Sequence, residues 1–226
     1  MLFIIDTANL DAIRKAVEFL PIDGVTTNPT IIAKEKNPDF LNLIKEIRSI
    51  IGDDRMLHIQ TTAKNADDIV KEAMLLQEAV GGNFYIKIPI SEEGLKATMR
   101  LRKMGIGVTV TAIFTHAQAI IAAKAGASFV APYVNRIDNV CGDGNNVVAE
   151  IVEQFSHYDF DCKVLAASFK NVEQVHRAAL CGCHSVTVSP DVLFMFIKHP
   201  LTDIALADFD SDWESVYGDK KIPELL

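Results

Sequence analysis

Residues Asn83 to Ile90 read N-F-Y-I-K-I-P-I, and the alternation in this stretch decides the fold. Side chains alternate across a strand, so Phe84, Ile86, Ile88 and Ile90 share one apolar face suited to packing under helices. Tyr85 and Lys87 share the other face. Pro89 has no N–H for the ladder and marks the strand's end, which puts Lys87 just inside the rim. A strand apolar on one side, with a lone ammonium on the other, fits a closed sheet with helices outside and chemistry inside.

Working outward, the same kind of run recurs along the chain. L-F-I-I-D ends at Asp6, V-T-T-N at Asn28, M-L-H-I-Q at Gln60, G-V-T-V-T at Thr111, F-V-A-P-Y at Tyr133, K-V-L-A-A-S at Ser168 and S-V-T-V-S at Ser189. Amphipathic segments lie between them. One takes Asn37 as N-cap and Pro38 at its first position, puts Phe40, Ile44, Ile47 and Ile51 on one face, and stops at Gly52. Another starts at Asn65 and runs through Ile69, Ala73, Leu76 and Val80 into Gly81. A third begins at Ser91 with Glu92 and Glu93 and ends at Gly105.

Eight strand signals alternating with helices imply parallel strands joined by right-handed crossovers. The expected class is α/β, a (β/α)8 TIM barrel over residues 1–200 with a C-terminal helical extension over 201–226. An open doubly wound sheet is the competing arrangement, but its G-x-G-x-x-G fingerprint is absent. Asp6, Asn28, Gln60, Thr111, Tyr133 and Ser168 all fall at or near strand C-terminal ends. In a barrel those ends converge on the face that carries chemistry.

Composition narrows the function classes. With 226 residues, 49% hydrophobic and 23% charged, the chain suits one well-cored domain. A net charge of -8 opposes nucleic-acid and anionic-membrane surfaces, while a small anion held by local cations stays possible. Ile113 to Val134, the most apolar long stretch, is broken by His116, Lys124 and Gly126, against a bilayer span. The start, M-L-F-I-I-D-T-A-N-L, lacks a basic n-region, and Cys141, Cys162, Cys181 and Cys183 form no spaced disulfide framework. The expectation is a cytoplasmic protein with reduced thiols. C-G-C-H at Cys181 to His184 lacks a second cluster that would complete a metal site.

An ordinary lysine has a pKa of about 10.4 and is almost wholly charged at pH 7. Desolvation disfavours the ammonium. A neutral Lys87 amine could attack a ketone and form an iminium, which withdraws electrons from the adjacent C–C bond and opens it to cleavage. An interior ion pair with Asp6 is the structural alternative.

Six motifs, D-T-A-N at Asp6, G-V-T-T-N-P-T-I-I-A from Gly24, I-K-I-P-I around Lys87, T-A-I-F at Thr111, A-P-Y-V-N-R-I-D from Ala131 and V-L-A-A-S-F-K from Val164, resemble the small transaldolase family, which includes fructose-6-phosphate aldolase. The resemblance runs in order through nearly the whole chain. It implies a barrel enzyme that needs no metal or other cofactor, acts on sugar phosphates and uses Lys87 as the Schiff-base residue. Asp6 would be the acid/base carboxylate, Asn28 an amide lining the site and Thr111 a hydroxyl holding the catalytic water. Arg136 and Ser168 would bind phosphate. Gln60 and Tyr133 match the aldolase branch; transaldolases proper tend to carry Glu and Phe there. Matching Gln60 requires one extra residue after Arg55, and otherwise Ile59 takes the position. The family also implies that the last helix, with Phe209, Trp213, Val216 and Tyr217 at helical spacing, covers a neighbouring subunit in a ring-like homo-oligomer, commonly a decamer. A helix closing its own barrel is the alternative.

Overall fold

The structure is a computed structural model and describes residues 1–36 and 39–226. Eight parallel strands close into a barrel in the order β1 to β8, with β8 returning to β1. They are β1 (Leu2–Asp6), β2 (Gly24–Thr26), β3 (Met56–Gln60), β4 (Phe84–Pro89), β5 (Gly107–Ile113), β6 (Phe129–Pro132), β7 (Lys163–Ala166) and β8 (Ser185–Val188). Each expected run holds a strand. β2 is the shortest, and Asn28 lies beyond its end.

Around the strands lie α1 (Leu10–Phe19), α2 (Pro29–Lys34), α3 (Phe40–Ile51), α4 (Ala66–Val80), α5 (Glu92–Lys103), α6 (His116–Ala125), α7 (Val134–Asp138), α8 (Gly144–His157), α9 (Val172–Leu180) and α10 (Pro190–Leu193). Side-chain caps set several starts. Asn65 accepts from the Asp68 N–H at 2.9 Å and Ser91 from the Gly94 N–H at 3.0 Å. The expected Asn37 cap and Pro38 lie outside the described residues; Asp39 accepts from the Asn42 N–H at 3.0 Å and caps α3. Gly52 ends that helix with φ 73°, a left-handed angle that favours glycine. The inward face of α3 is Leu43, Ile44, Ile47, Arg48 and Ile51, while Phe40 stays exposed. Arg48 is tolerated inside because its guanidinium donates to the carbonyls of Gly52, Arg55 and Asn83.

The core between strands and helices is aliphatic, with Ile5, Val25, Leu57, Ile59, Ile86, Ile88, Val108, Val110 and Val130 at the strand positions facing outward. Toward the strand starts the barrel is plugged by Ile4, Met56, Phe129 and Leu165, with Leu2 and Tyr85 against them. Above this plug the interior turns polar, with buried Thr26, His58, Lys87, Thr109, Thr111 and Thr187.

The chain forms two compact units, Met1–Leu193 and Phe194–Leu226. The second contains α11 (Pro200–Tyr217), started by Pro200 after the His199 cap. Among the described residues no helix is long and apolar enough to cross a membrane.

Candidate active site

Register carries the lysine inward. Lys87 pairs with Gln60 on β3 and Thr109 on β5, and Tyr85 pairs with His58. Residues paired across parallel strands share a face, so Gln60 faces in beside Lys87 and Ile59 packs outward, 1% exposed.

Lys87 is buried, 4% exposed, and its Nζ donates to the Thr27 carbonyl at 2.9 Å. Burial pushes its pKa down, opposed by the charge of Asp6. Among the described residues no carboxylate lies within ion-pair distance of this amine, so the direct Lys87–Asp6 bridge does not form. Asp6 Oδ1 instead accepts from Thr26 Oγ1 at 2.6 Å, and Thr26 also shares a hydrogen bond with Thr187. Thr26 thus meets barrel neighbours, and Thr27 serves the lysine through its backbone.

A cavity of about 70 Å³ gathers Asp6, Asn28, Lys87, Tyr133, Arg136 and Ser168 at the strand ends. Asn28 caps α2, its Oδ1 accepting from the Ile31 N–H at 3.0 Å, so the group it can offer a substrate is the Nδ2 donor. Thr111 joins through a hydrogen bond between its Oγ1 and the Tyr133 hydroxyl at 2.9 Å. A bulge between Thr111 and Ile113, with Ala112 at φ 58°, shifts the β5 register there. Gln60 lines a neighbouring cleft of about 530 Å³ with Asn28, Ile32 and Leu75. A larger hollow of about 700 Å³ lies at the other end of the barrel, by Gly107, Phe129 and Lys163, away from the lysine.

Arg136 sits on α7, whose first turn is tied to the end of β7: Val134 N–H donates to the Ala167 carbonyl at 2.9 Å and Asn135 N–H to the Ser168 carbonyl at 2.8 Å. Arg136 makes no ion pair with nearby Asp138, whose carboxylate accepts from Gly144 N–H and Gln174 Nε2. The guanidinium instead lies 4.5 Å from the centre of the Tyr133 ring. Ser168 turns with φ 63°, a strained angle for a residue with a side chain.

The interior residues that sequence reasoning passed over are His58 and Thr109. His58 Nδ1 and Thr109 Oγ1 lie 2.8 Å apart, spanning β4 beneath Lys87, and the imidazole stacks on Tyr85 at 4.7 Å between centroids. Burial and the Lys87 charge drive the His58 pKa down to about 3. Gln60's inward neighbour two positions back, on a strand known to face the site, was the signal available.

A dry amine inside the C-terminal rim of a closed barrel, beside a carboxylate and a hydroxyl pair, defines a Schiff-base enzyme of the class I aldolase type. The sequence model described as transaldolase/fructose-6-phosphate aldolase matches residues 3–221, and the chain belongs to that family. A probable transaldolase of Aquifex aeolicus (strain VF5) is 42% identical over 96% of this chain and 98% of its own. A probable fructose-6-phosphate aldolase of Streptococcus pneumoniae (strain ATCC 700669 / Spain 23F-1) is 38% identical over 98% of this chain and 100% of its own. Among solved structures, one titled as native KDPGal has a TM-score of 0.57 at 18% identity, covering 84% of this chain and 82% of that one. At that identity the likeness concerns the fold alone.

Proposed function

We propose that this chain is a Schiff-base aldolase that reversibly cleaves fructose 6-phosphate to dihydroxyacetone and glyceraldehyde 3-phosphate. The neutral Lys87 amine adds to the C2 carbonyl, and loss of water leaves an iminium. Asp6 takes the proton from the C4 hydroxyl as the C3–C4 bond breaks, and its electron pair flows into the iminium to give an enamine. Glyceraldehyde 3-phosphate leaves, its phosphate having been held by Arg136 and Ser168. A water placed by Thr111, Tyr133 and Gln60 returns a proton to C3, and hydrolysis of the iminium frees dihydroxyacetone and Lys87.

The observation that carries the aldolase reading is the Tyr133 hydroxyl on Thr111 at 2.9 Å. A phenol at that place can help position a proton-transferring water, so the enamine is protonated before an acceptor arrives. The second reading is a transaldolase moving the three-carbon unit from sedoheptulose 7-phosphate or fructose 6-phosphate to an aldose phosphate, favoured by relatives named probable transaldolase at 42–43% identity. Incubation with fructose 6-phosphate alone separates them. Sustained release of glyceraldehyde 3-phosphate is expected; turnover that begins only on adding erythrose 4-phosphate would select the second.

A further inference from the structure

We propose that Arg136 is a positioning residue for Tyr133, so that occupation of the phosphate site speeds the proton-transfer step. The inference rests on the reading of Arg136 and Ser168 as the phosphate-binding pair, and it adds a coupling that this reading does not contain. A counter-ion with only one task would extend toward its anion or rest on a carboxylate. Among the described residues Arg136 has no carboxylate partner, and its guanidinium lies 4.5 Å from the centre of the Tyr133 ring. That same ring carries the hydroxyl bonded to Thr111, and Phe114 meets it edge-on at 5.6 Å.

The backbone makes the three parts one unit. Tyr133 bridges to Ala167, and Val134 and Asn135 donate to the carbonyls of Ala167 and Ser168. A phosphate held between Ser168 and Arg136 would therefore grip one end of a short hydrogen-bonded segment, Tyr133 to Arg136 beside Ala167 and Ser168, whose other end carries the phenol. The cavity is also small. At about 70 Å³ it is well below the ~300 Å³ at which ligand clefts commonly begin, so a bound sugar phosphate would lie close against its wall. Arg136 lines that wall, and its planar fork can bond phosphate oxygens at its edge while its face stays on the ring. Among the described residues the Tyr133 ring is the one side chain that the guanidinium rests on. With phosphate bound it is pinned, and the phenol with it, against Thr111.

The step affected can be isolated with dihydroxyacetone alone. On Lys87 this ketone gives an iminium. A C–H bond of the hydroxymethyl carbon then breaks, its electron pair forms the enamine and the proton passes to the water beside Thr111 and Tyr133. In D₂O the reverse step delivers a deuteron, and NMR follows loss of the hydroxymethyl signal. Inorganic phosphate is the probe, with chloride at matched ionic strength and Lys87→Met as the blank. Its occupancy is read separately, by how far it slows borohydride trapping of fructose 6-phosphate on Lys87.

Phosphate is expected to accelerate exchange by about 5-fold or more in the wild-type protein. Arg136→Leu should lose both acceleration and occupancy. Arg136→Lys, which keeps the charge but not the planar face, should retain occupancy with little acceleration. Tyr133→Phe should retain occupancy with no acceleration, and thermal melting checks that each variant is folded. Occupancy without acceleration in the wild type overturns the coupling and leaves the phosphate pair standing, as does acceleration that survives in Tyr133→Phe. Phosphate that neither competes nor accelerates overturns the phosphate reading and this inference together. Failure of the wild type to exchange at all overturns the assignment of Lys87 and the coupling built on it.

Discussion

At Lys87 the same burial that the proposed chemistry calls for also costs stability. An unfolded lysine is protonated up to about pH 10.4, whereas the folded one has its pKa lowered, so at neutral pH the native state carries a group it would rather leave uncharged or in water. Lys87→Met keeps the length and removes the charge. We expect no turnover, no mass added by borohydride with fructose 6-phosphate, and a melting temperature no lower than wild type; residual activity above background would refute the assignment. His58 gives a second test with a definite sign. Its folded pKa of about 3 is below the ordinary 6.5, so between those values the unfolded chain binds a proton that the native state refuses. Stability should therefore drop as pH falls from 6.5 toward 3, by up to about 1.4 kcal/mol per pH unit from this residue. His58→Leu removes that slope. Urea midpoints between pH 7 and 4 should show the variant gaining on wild type with acid; parallel curves would mean that His58 takes up its proton normally in the native protein.

Among the elements, β2 and β3 approach so closely that only glycine fits at Gly24, where a Cβ would run into the Met56 carbonyl. Because that obstacle is backbone, it cannot turn aside. Gly24→Ala should lower stability by about 1–3 kcal/mol, read as a drop in the urea midpoint, with loss of activity because Thr26 and the Thr27 carbonyl follow directly along the chain. A variant with unchanged midpoint would show that the two strands can part freely. The element scale also marks what the sequence could reveal. Strands such as Phe84–Pro89 were legible because alternation and a terminal proline are local signals, and Lys87 was legible with them. The start of α3 was less so, since the α2–α3 connection offers more than one capping side chain and Asp39 is the cap observed. The Thr111–Tyr133 pair was expected as two residues but not as one hydrogen bond. It depends on register between β5 and β6 and on a bulge at Ala112, where no glycine announces the positive φ. The His58–Thr109 bridge was missed for a related reason: a polar residue on a buried strand looks like any other until neighbouring strands supply its partner.

For the whole molecule, the feature that bears on assembly is the apolar stripe of α11. Phe209, Trp213, Val216 and Tyr217 fall at i, i+4, i+7 and i+8, one stripe of a helix. Phe209 is 67% and Val216 71% exposed. A contiguous aromatic and aliphatic stripe in water is a liability for an isolated chain, and a net charge of -8 alone does not remove it. Association between copies would remove it, and a ring-like homo-oligomer is the arrangement the family resemblance implies. We predict that the protein sediments as a multiple of 24.9 kDa, with a decamer as the expected size. Phe209→Glu combined with Val216→Glu places two carboxylates on the stripe and should shift the particle to smaller species. Because these residues lie on the second compact unit, far along the chain from Lys87, far-ultraviolet circular dichroism of the barrel should persist. The assembly reading would fail if the wild-type chain sedimented as a monomer across micromolar concentrations, and the stripe would lose its part in it if the double variant kept the wild-type mass.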